Sequence, residues 1–292
     1  MDVCVVQVPF HAGDDGHPSS WGPQRLVEAG AAELFAGRGV AVTVERAGRE
    51  TAFRDTASSS AEVNRQVAAL VRTAVASGRL PIVLAGSCNA CLGVLAGFDH
   101  ARSGAVWLDC HADFNTPDST SSGFFAGMSA AVITGHCYSR YWEEIGDNTP
   151  LAEDAMAMFG VRNLSPRAER ERLQNSAIQV VHWRDGQPDR DPLTALDDLA
   201  RRVREVYLHI DFDAFAPELA PGIADDPTPG GLTLEQAETI IRATGGRFHI
   251  QAATLATYTP DRDREERTLQ LALALIELLA DYASGSGGRW SP

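Results

Sequence analysis

Short β-prone apolar runs alternate with helix-length stretches along almost the whole chain, and this alternation narrows the fold more than any other feature. Runs at 3–8, 40–44, 81–85, 105–108, 155–161, 178–181, 206–210 and 248–255 predict strands. Helical patterns fall between them at 23–36, 166–175, 193–204, 234–244 and 265–282, with further helices starting near 89 and 128. Ser58-Ser59-Ser60 is expected to cap one more, running to residue 76 before Gly78. Parallel strands need crossovers of a dozen or more residues, which helices of this length supply. The expectation is therefore an α/β fold whose parallel sheet is covered on both faces. No repeat or composition break divides the chain, so 1–292 reads as one domain, with the Gly/Ser-rich 284–292 as a flexible tail.

Three of the apolar runs end in chemistry. Ala105-Val106-Trp107-Leu108 leads into Asp109-Cys110-His111-Ala112-Asp113, and Val206-Tyr207-Leu208 into His209-Ile210-Asp211-Phe212-Asp213. Upstream, the run ending at Ala85 leads into Gly86-Ser87-Cys88-Asn89. Strand alternation sends residues i, i+2 and i+4 to one face, so each acid-and-imidazole row is expected to project together. Carboxylate oxygens and imidazole nitrogens gathered at strand ends suit hard-to-borderline divalent metals. In doubly covered parallel sheets, ligands collect at the carboxyl ends of strands, where all three segments fall.

Composition removes several function classes. The net charge of −14 argues against nucleic acid or an anionic membrane as the main partner and suits a cationic substrate. No apolar run approaches the ~20 residues of a membrane span, and the first residues lack the basic region of a signal peptide. All 25 basic side chains are arginine, which excludes a Schiff-base lysine and a P-loop lysine. Five cysteines do not form a secreted disulfide framework, so the cytoplasm is the expected compartment.

The segments Asp109-Cys110-His111-Ala112-Asp113-Phe114-Asn115-Thr116-Pro117, His209 to Asp213 with Pro217 four residues on, and Pro229-Gly230-Gly231-Leu232-Thr233 resemble the signatures of the arginase/agmatinase (ureohydrolase) family. The resemblance extends from Gly22-Pro23 to Tyr258-Thr259-Pro260. It implies a three-layer α/β/α sandwich with a mostly parallel eight-stranded sheet. It also implies two Mn(2+) ions per chain, a homo-oligomer (trimer or hexamer), and hydrolysis of a C–N bond in a small cationic guanidino or amidino compound with a urea-type product. By position, Asp109 and Asp211 match bridging carboxylates, Asp113 completes the first metal site, and His111 and Asp213 complete the second. Asp113 is also the expected catalytic proton carrier. Asn115 and Ser122 match positions that contact the amino-acid end of arginine, and Ser165 stands near an acidic position.

The pattern departs from the family at three places. Cys88 replaces a metal-binding histidine, and a thiolate there predicts a weaker manganese site or a softer ion. Ala126 stands where a proton-shuttling histidine is found; His136 and His209 are the nearest imidazoles, with His209 expected to orient a carboxylate as part of the catalytic apparatus. Thr257 replaces a guanidinium-binding glutamate and is expected to bind substrate through its hydroxyl, with Tyr258 as a stacking surface. These losses leave open a non-catalytic relative that binds or scaffolds. Cys88-Asn89-Ala90-Cys91 leaves open a redox dithiol or a disulfide that disables the metal site.

Overall fold

The alternation of strands and helices is carried through in the computed structural model, which describes residues 1–146, 149–225 and 227–285. The chain runs β1 (Asp2–Val8), α1 (Gly22–Glu28), α2 (Ala31–Ala36), β2 (Val42–Arg46), α3 (Thr56–Ala76), β3 (Arg79–Ala85) and α4 (Cys91–Ala96). It continues through β4 (Gly104–Leu108), α5 (Ser129–Ile133), α6 (Ser139–Ile145), β5 (Met156–Val161), α7 (Arg167–Gln174), β6 (Gln179–Arg184) and β7 (Gln187–Pro188). The last elements are α8 (Pro192–Ala200), β8 (Glu205–Asp211), α9 (Leu234–Arg247), β9 (His249–Ala256) and α10 (Arg267–Ser284). Of the expected tail, Ser284 closes α10, and 286–292 lie outside the described residues.

The strands form one sheet in the order β2-β1-β3-β9-β8-β4-β5-β6-β7. All neighbours are parallel except β6 and β7. Strand side chains alternate between two cores. Val3, Val5, Ile82 and Leu84 face one core, packed with α1, α2, α8, α9 and α10. Cys4, Val6, Val83 and Ala85 face the other, packed with α3 to α7. Each fully buried Val, Leu or Ile contributes roughly 1.5–3 kcal/mol, so the alternation itself holds the sheet between its helical layers. No helix of the described residues is long and apolar enough to cross a membrane.

The sheet has nine strands rather than the expected eight. The extra one is a two-residue hairpin partner: Asp185 and Gly186 take φ of 49° and 74° and turn β6 back on itself, pairing Trp183 with Pro188. Asp-Gly is a strong signal for this tight turn because both residues tolerate positive φ. The expected helix 23–36 is two helices, broken where Gly30 adopts φ 101°. Asp55, not the serine run, caps α3, its side chain accepting from the Ser58 N–H at 2.8 Å.

Strand order decides what meets what. The chain leaves β3, lays down β4 three positions along the sheet, and only later inserts β8 and β9 between them. The carboxyl ends of β3, β9, β8 and β4 thus become contiguous. The register sets Trp107 beside His209 and Leu108 beside Ile210, so Asp109 and Asp211 emerge at the same level.

Candidate metal centre

The acid rows are built differently from the strand expectation. β4 ends at Leu108 and β8 at Asp211, so of the two rows only His209 and Asp211 are still in a strand. His111 and Asp113 follow in a turn in which Asp113 takes φ 49°, and Asp213 lies in a short 3₁₀ turn. Turn geometry, rather than pleating, brings these side chains to one place.

Backbone amides fix the carboxylates. Asp109 Oδ1 accepts from His111 N–H at 2.7 Å, and its Oδ2 from the Trp107 indole at 3.1 Å. Asp211 Oδ1 accepts from Asp213 N–H at 2.8 Å and from the Thr257 hydroxyl at 2.5 Å, while Cys88 Sγ lies 2.7 Å from Oδ2. Asp213 Oδ1 accepts from Cys110 N–H at 3.0 Å, and its Oδ2 pairs with His111 Nδ1 at 2.9 Å. The turn after β8 is anchored by the Arg162 guanidinium, which donates to the carbonyls of Asp213 (2.7 Å) and Phe215 (3.1 Å). Gly231 closes over the same turn with φ 112°; a Cβ there would lie 2.6 Å from Phe215 backbone. Leu232 N–H then donates to Ala214 carbonyl, which explains the glycine pair before Leu232.

Two donor clusters result. The ligand atoms of Cys88, Asp109, His209 and Asp211 lie within 4.8 Å of one another, as do those of Asp109, Cys110, His111 and Asp213. Asp109 belongs to both. Asp113 stands apart from these tight groups but faces the same cavity, and its Oδ2 is buried with no hydrogen-bond partner.

So many buried carboxyls oppose one another's ionisation. Burial, then the charge of Asp213, pushes Asp109 up to about 7. Burial and the neighbouring carboxylates hold Asp113 and Asp211 well above the usual range. Asp213 moves the other way: burial would raise it, but the adjacent His111 keeps it ionised and below its ordinary value. His111 is correspondingly held above the ordinary imidazole value by Asp213 and Asp109, against the effect of burial. Protons compensate here for charge that a cation would balance. Oxygen, nitrogen and sulfur donors, two orphaned polar atoms (Asp113 Oδ2 and His209 Nε2) and suppressed ionisation together fit a divalent metal pair.

The clusters floor a cavity of about 250 Å³. Cys88, His111, Asp113, Asn115, Ser122, Asp211, Asp213 and Thr257, all singled out from the sequence, line it, as does Ser165. Asp109 and His209 are buried and do not. Sequence reasoning missed several lining residues. His11 stacks on His17 and on Phe124, and burial pushes its imidazole down to about 4. Asn163 donates toward His111 Nε2 at 3.2 Å. Glu169 accepts from Phe114 N–H at 3.1 Å and Ser165 N–H at 3.2 Å, raised by burial. Asp225 adds another lining carboxyl, also raised by burial. His11 and Asn163 follow β1 and β5, so the strand-end rule offered a signal for both.

Other expectations need correction. Tyr258 is not a stacking surface; it is buried against Phe212. His136 pairs with Glu153 at 2.7 Å, does not line the cavity, and so does not stand in for the histidine missing at Ala126. His209 orients no carboxylate: Nδ1 contacts Tyr207 Oη at 2.9 Å, and Trp107 holds Asp109 instead. Cys88 and Cys91 are free and fully buried, and burial pushes both thiols well up, contrary to a reactive dithiol. The proline-rich loop before Pro229 contributes Ala224 and Asp225 to the cavity; Asp226 lies outside the described residues.

Fold and donor set define an α/β/α protein with a candidate metal centre at the carboxyl ends of adjacent parallel strands. The sequence model of the Arginase family matches residues 1–280, and the chain belongs to that family. An arginase of Bacillus caldovelox is 29% identical over 223 residues, covering 74% of this chain and 73% of that protein. An arginase of Brevibacillus brevis is 26% identical over 293 residues, covering 94% and 96%. The crystal structure of arginase from Bacillus cereus superimposes with a TM-score of 0.84 at 26% identity, over 96% of this chain and 98% of that one.

Proposed function

We propose that the chain hydrolyses a C–N bond of a small cationic guanidino or amidino compound, releasing a urea-type product, with two Mn(2+) ions per chain. One observation carries this reading: the donor clusters floor a single cavity whose other walls add Glu169 and Asp225, so metal-binding and cation-attracting groups converge on one small volume. The proposed ligands are Cys88, Asp109, His111, Asp113, Asp211 and Asp213. A bound metal pair supplies Lewis acidity and lowers the pKa of a water from 15.7 to roughly 7–9.

The chain's own groups do the rest. Asp113, whose Oδ2 has no partner in the protein, accepts a proton at that oxygen and returns it to the departing amine. Thr257 donates its hydroxyl to Asp211, leaving a lone pair to accept from a substrate N–H. Asn115 and Ser122, with Ser165 beside Asn115, offer hydrogen bonds to the polar end of the substrate, and Glu169 offers it a negative charge. Loss of the family glutamate at Thr257 supports a substrate, or a binding mode, different from that of arginine in arginase.

The reading extends to a single domain acting in the cytoplasm as a trimer or hexamer. A panel of guanidino and amidino compounds, assayed for urea and amine release with manganese-reconstituted protein, tests it. Turnover of at least one compound is expected. Bound metal without turnover across the panel would leave a binding protein on a hydrolase fold.

A further inference from the structure

We infer that His209 is itself a metal ligand, binding through Nε2 in the same site as Cys88, Asp109 and Asp211. The inference rests on the metal-dependent reading above and adds to it a residue that the family pattern does not place among the ligands.

Three independent features of the side chain point this way. His209 is fully buried, yet its Nε2 is one of the buried side-chain atoms without a hydrogen-bond partner. A lone polar atom in such a place is costly unless something else completes it. That same imidazole stands within 4.8 Å of the Cys88, Asp109 and Asp211 donor atoms. Its second nitrogen, Nδ1, meets Tyr207 Oη at 2.9 Å. Donation from Nδ1–H to the phenol leaves the lone pair on Nε2, the arrangement that metal-bound histidines use to fix tautomer and orientation.

The ring is also held in place. It stacks on Trp107 at 3.7 Å with an interplanar angle of 16°, and the same indole donates to Asp109 Oδ2. One tryptophan thus aligns two of the four donors. The register of β4 against β8 dictates this pairing, and the two-residue step from His209 to Asp211 keeps both on one face of β8.

The donor set has a chemical consequence. One thiolate, one imidazole and the carboxylates of Asp109 and Asp211, with Asp113 as a further oxygen donor from the same cavity, suit a borderline-soft ion such as zinc or cobalt. The imidazole absent at position 88 is supplied instead by the strand beneath. The second cluster keeps its own imidazole, His111, which lines the cavity. The two halves of the centre are therefore unequal. The Cys88–His209 half lies deeper and is softer, and it is expected to take cobalt or zinc first.

X-ray absorption on the unmodified chain loaded with cobalt counts the imidazole and sulfur neighbours. Two imidazoles and one sulfur per pair of ions are expected; one imidazole per pair overturns the assignment while leaving the metal-dependent reading intact. Failure to take up any metal overturns both. Variants supply a second reading. His209→Ser is expected to weaken binding of one of the two ions by roughly 100-fold. The double change Cys88→His with His209→Ser, which moves the imidazole from strand to helix, is expected to restore it. Wild-type stoichiometry and affinity in folded His209→Ser contradict the inference; if that variant does not fold, the scatterer count on the unmodified chain decides.

Discussion

Cys88 and Asp211, 123 residues apart in sequence, meet at 2.7 Å above the ends of β3 and β8, and Thr257 from the strand between them donates to the other oxygen of the same carboxylate. Three strands therefore converge on one aspartate, and the proposed chemistry depends on it. Asp211→Asn keeps the size and most hydrogen bonds of the side chain but removes a charge. It is expected to abolish turnover and to lower metal affinity by more than the roughly 10–100-fold typical of outer-shell changes. Isothermal titration with manganese, beside the product-release assay, checks both; wild-type turnover in this variant would remove Asp211 from the mechanism.

Trp107→Phe tests how Asp109 is oriented. The ring stacked on His209 is retained, but the 3.1 Å hydrogen bond to Asp109 Oδ2 is lost. Metal affinity should fall about 10–100-fold with little change in melting temperature of the metal-free protein. A large drop in that temperature with unchanged affinity would assign the indole to packing alone.

Cys88→His exchanges a thiolate donor for an imidazole. The expected result is a shift of preference from zinc or cobalt toward manganese, read as a change in the ratio of their dissociation constants. An unchanged ratio would place Cys88 outside the metal shell.

Metal uptake should depend steeply on pH, with a definite sign. Burial and Asp213 raise the Asp109 carboxyl to about 7, so without a cation it holds its proton across the mildly acidic range. A metal must displace that proton, and Asp211 and Asp113, raised in the same direction, add to the effect. Affinity should rise about tenfold per pH unit for each proton displaced, with the Asp109 contribution fading above pH 7 as that group ionises unaided. Calorimetry in buffers of different ionisation enthalpy measures the released protons. No release at pH 6 would contradict this account of the carboxyl cluster.

Glu169→Gln removes the cavity's charge at that end and keeps an acceptor for only one of the two amides, since Phe114 N–H and Ser165 N–H donate to different carboxylate oxygens. For a substrate with a cationic end, KM should rise about tenfold, equivalent to ~1.4 kcal/mol, with kcat changed much less. Equal effects on a neutral analogue would show that Glu169 acts only on the loop.

Much of this site was legible because its densest part is local. The segments from Asp109 to Asp113 and from His209 to Asp213 carry six of the key groups within five residues each, directly after apolar strands. Their joint presence was readable, though not the reason for it: Asp113 reaches the cavity through a left-handed backbone turn that strand alternation does not describe. His11 and Asn163 carried only the general signal of following a strand, and Glu169, on a helix, carried none; that they meet at this cavity depends on which strand ends lie next to which. Inserting β8 and β9 between β3 and β4 is a non-local event without a local sequence signal. The role expected of His209 failed for a similar reason. Its orientation follows from the register of β4 against β8, which sets it beside Trp107 rather than against a carboxylate. The hairpin at Asp185-Gly186 had a sequence signal, and only its shortness concealed the ninth strand.

The most direct test of the central claim compares product release from a guanidino and amidino panel by manganese-loaded protein, by the same protein after chelation, and after manganese is restored. The account predicts turnover that disappears on stripping and returns with the metal. Turnover indifferent to chelation, or a fully loaded centre that cleaves nothing in the panel, would contradict it.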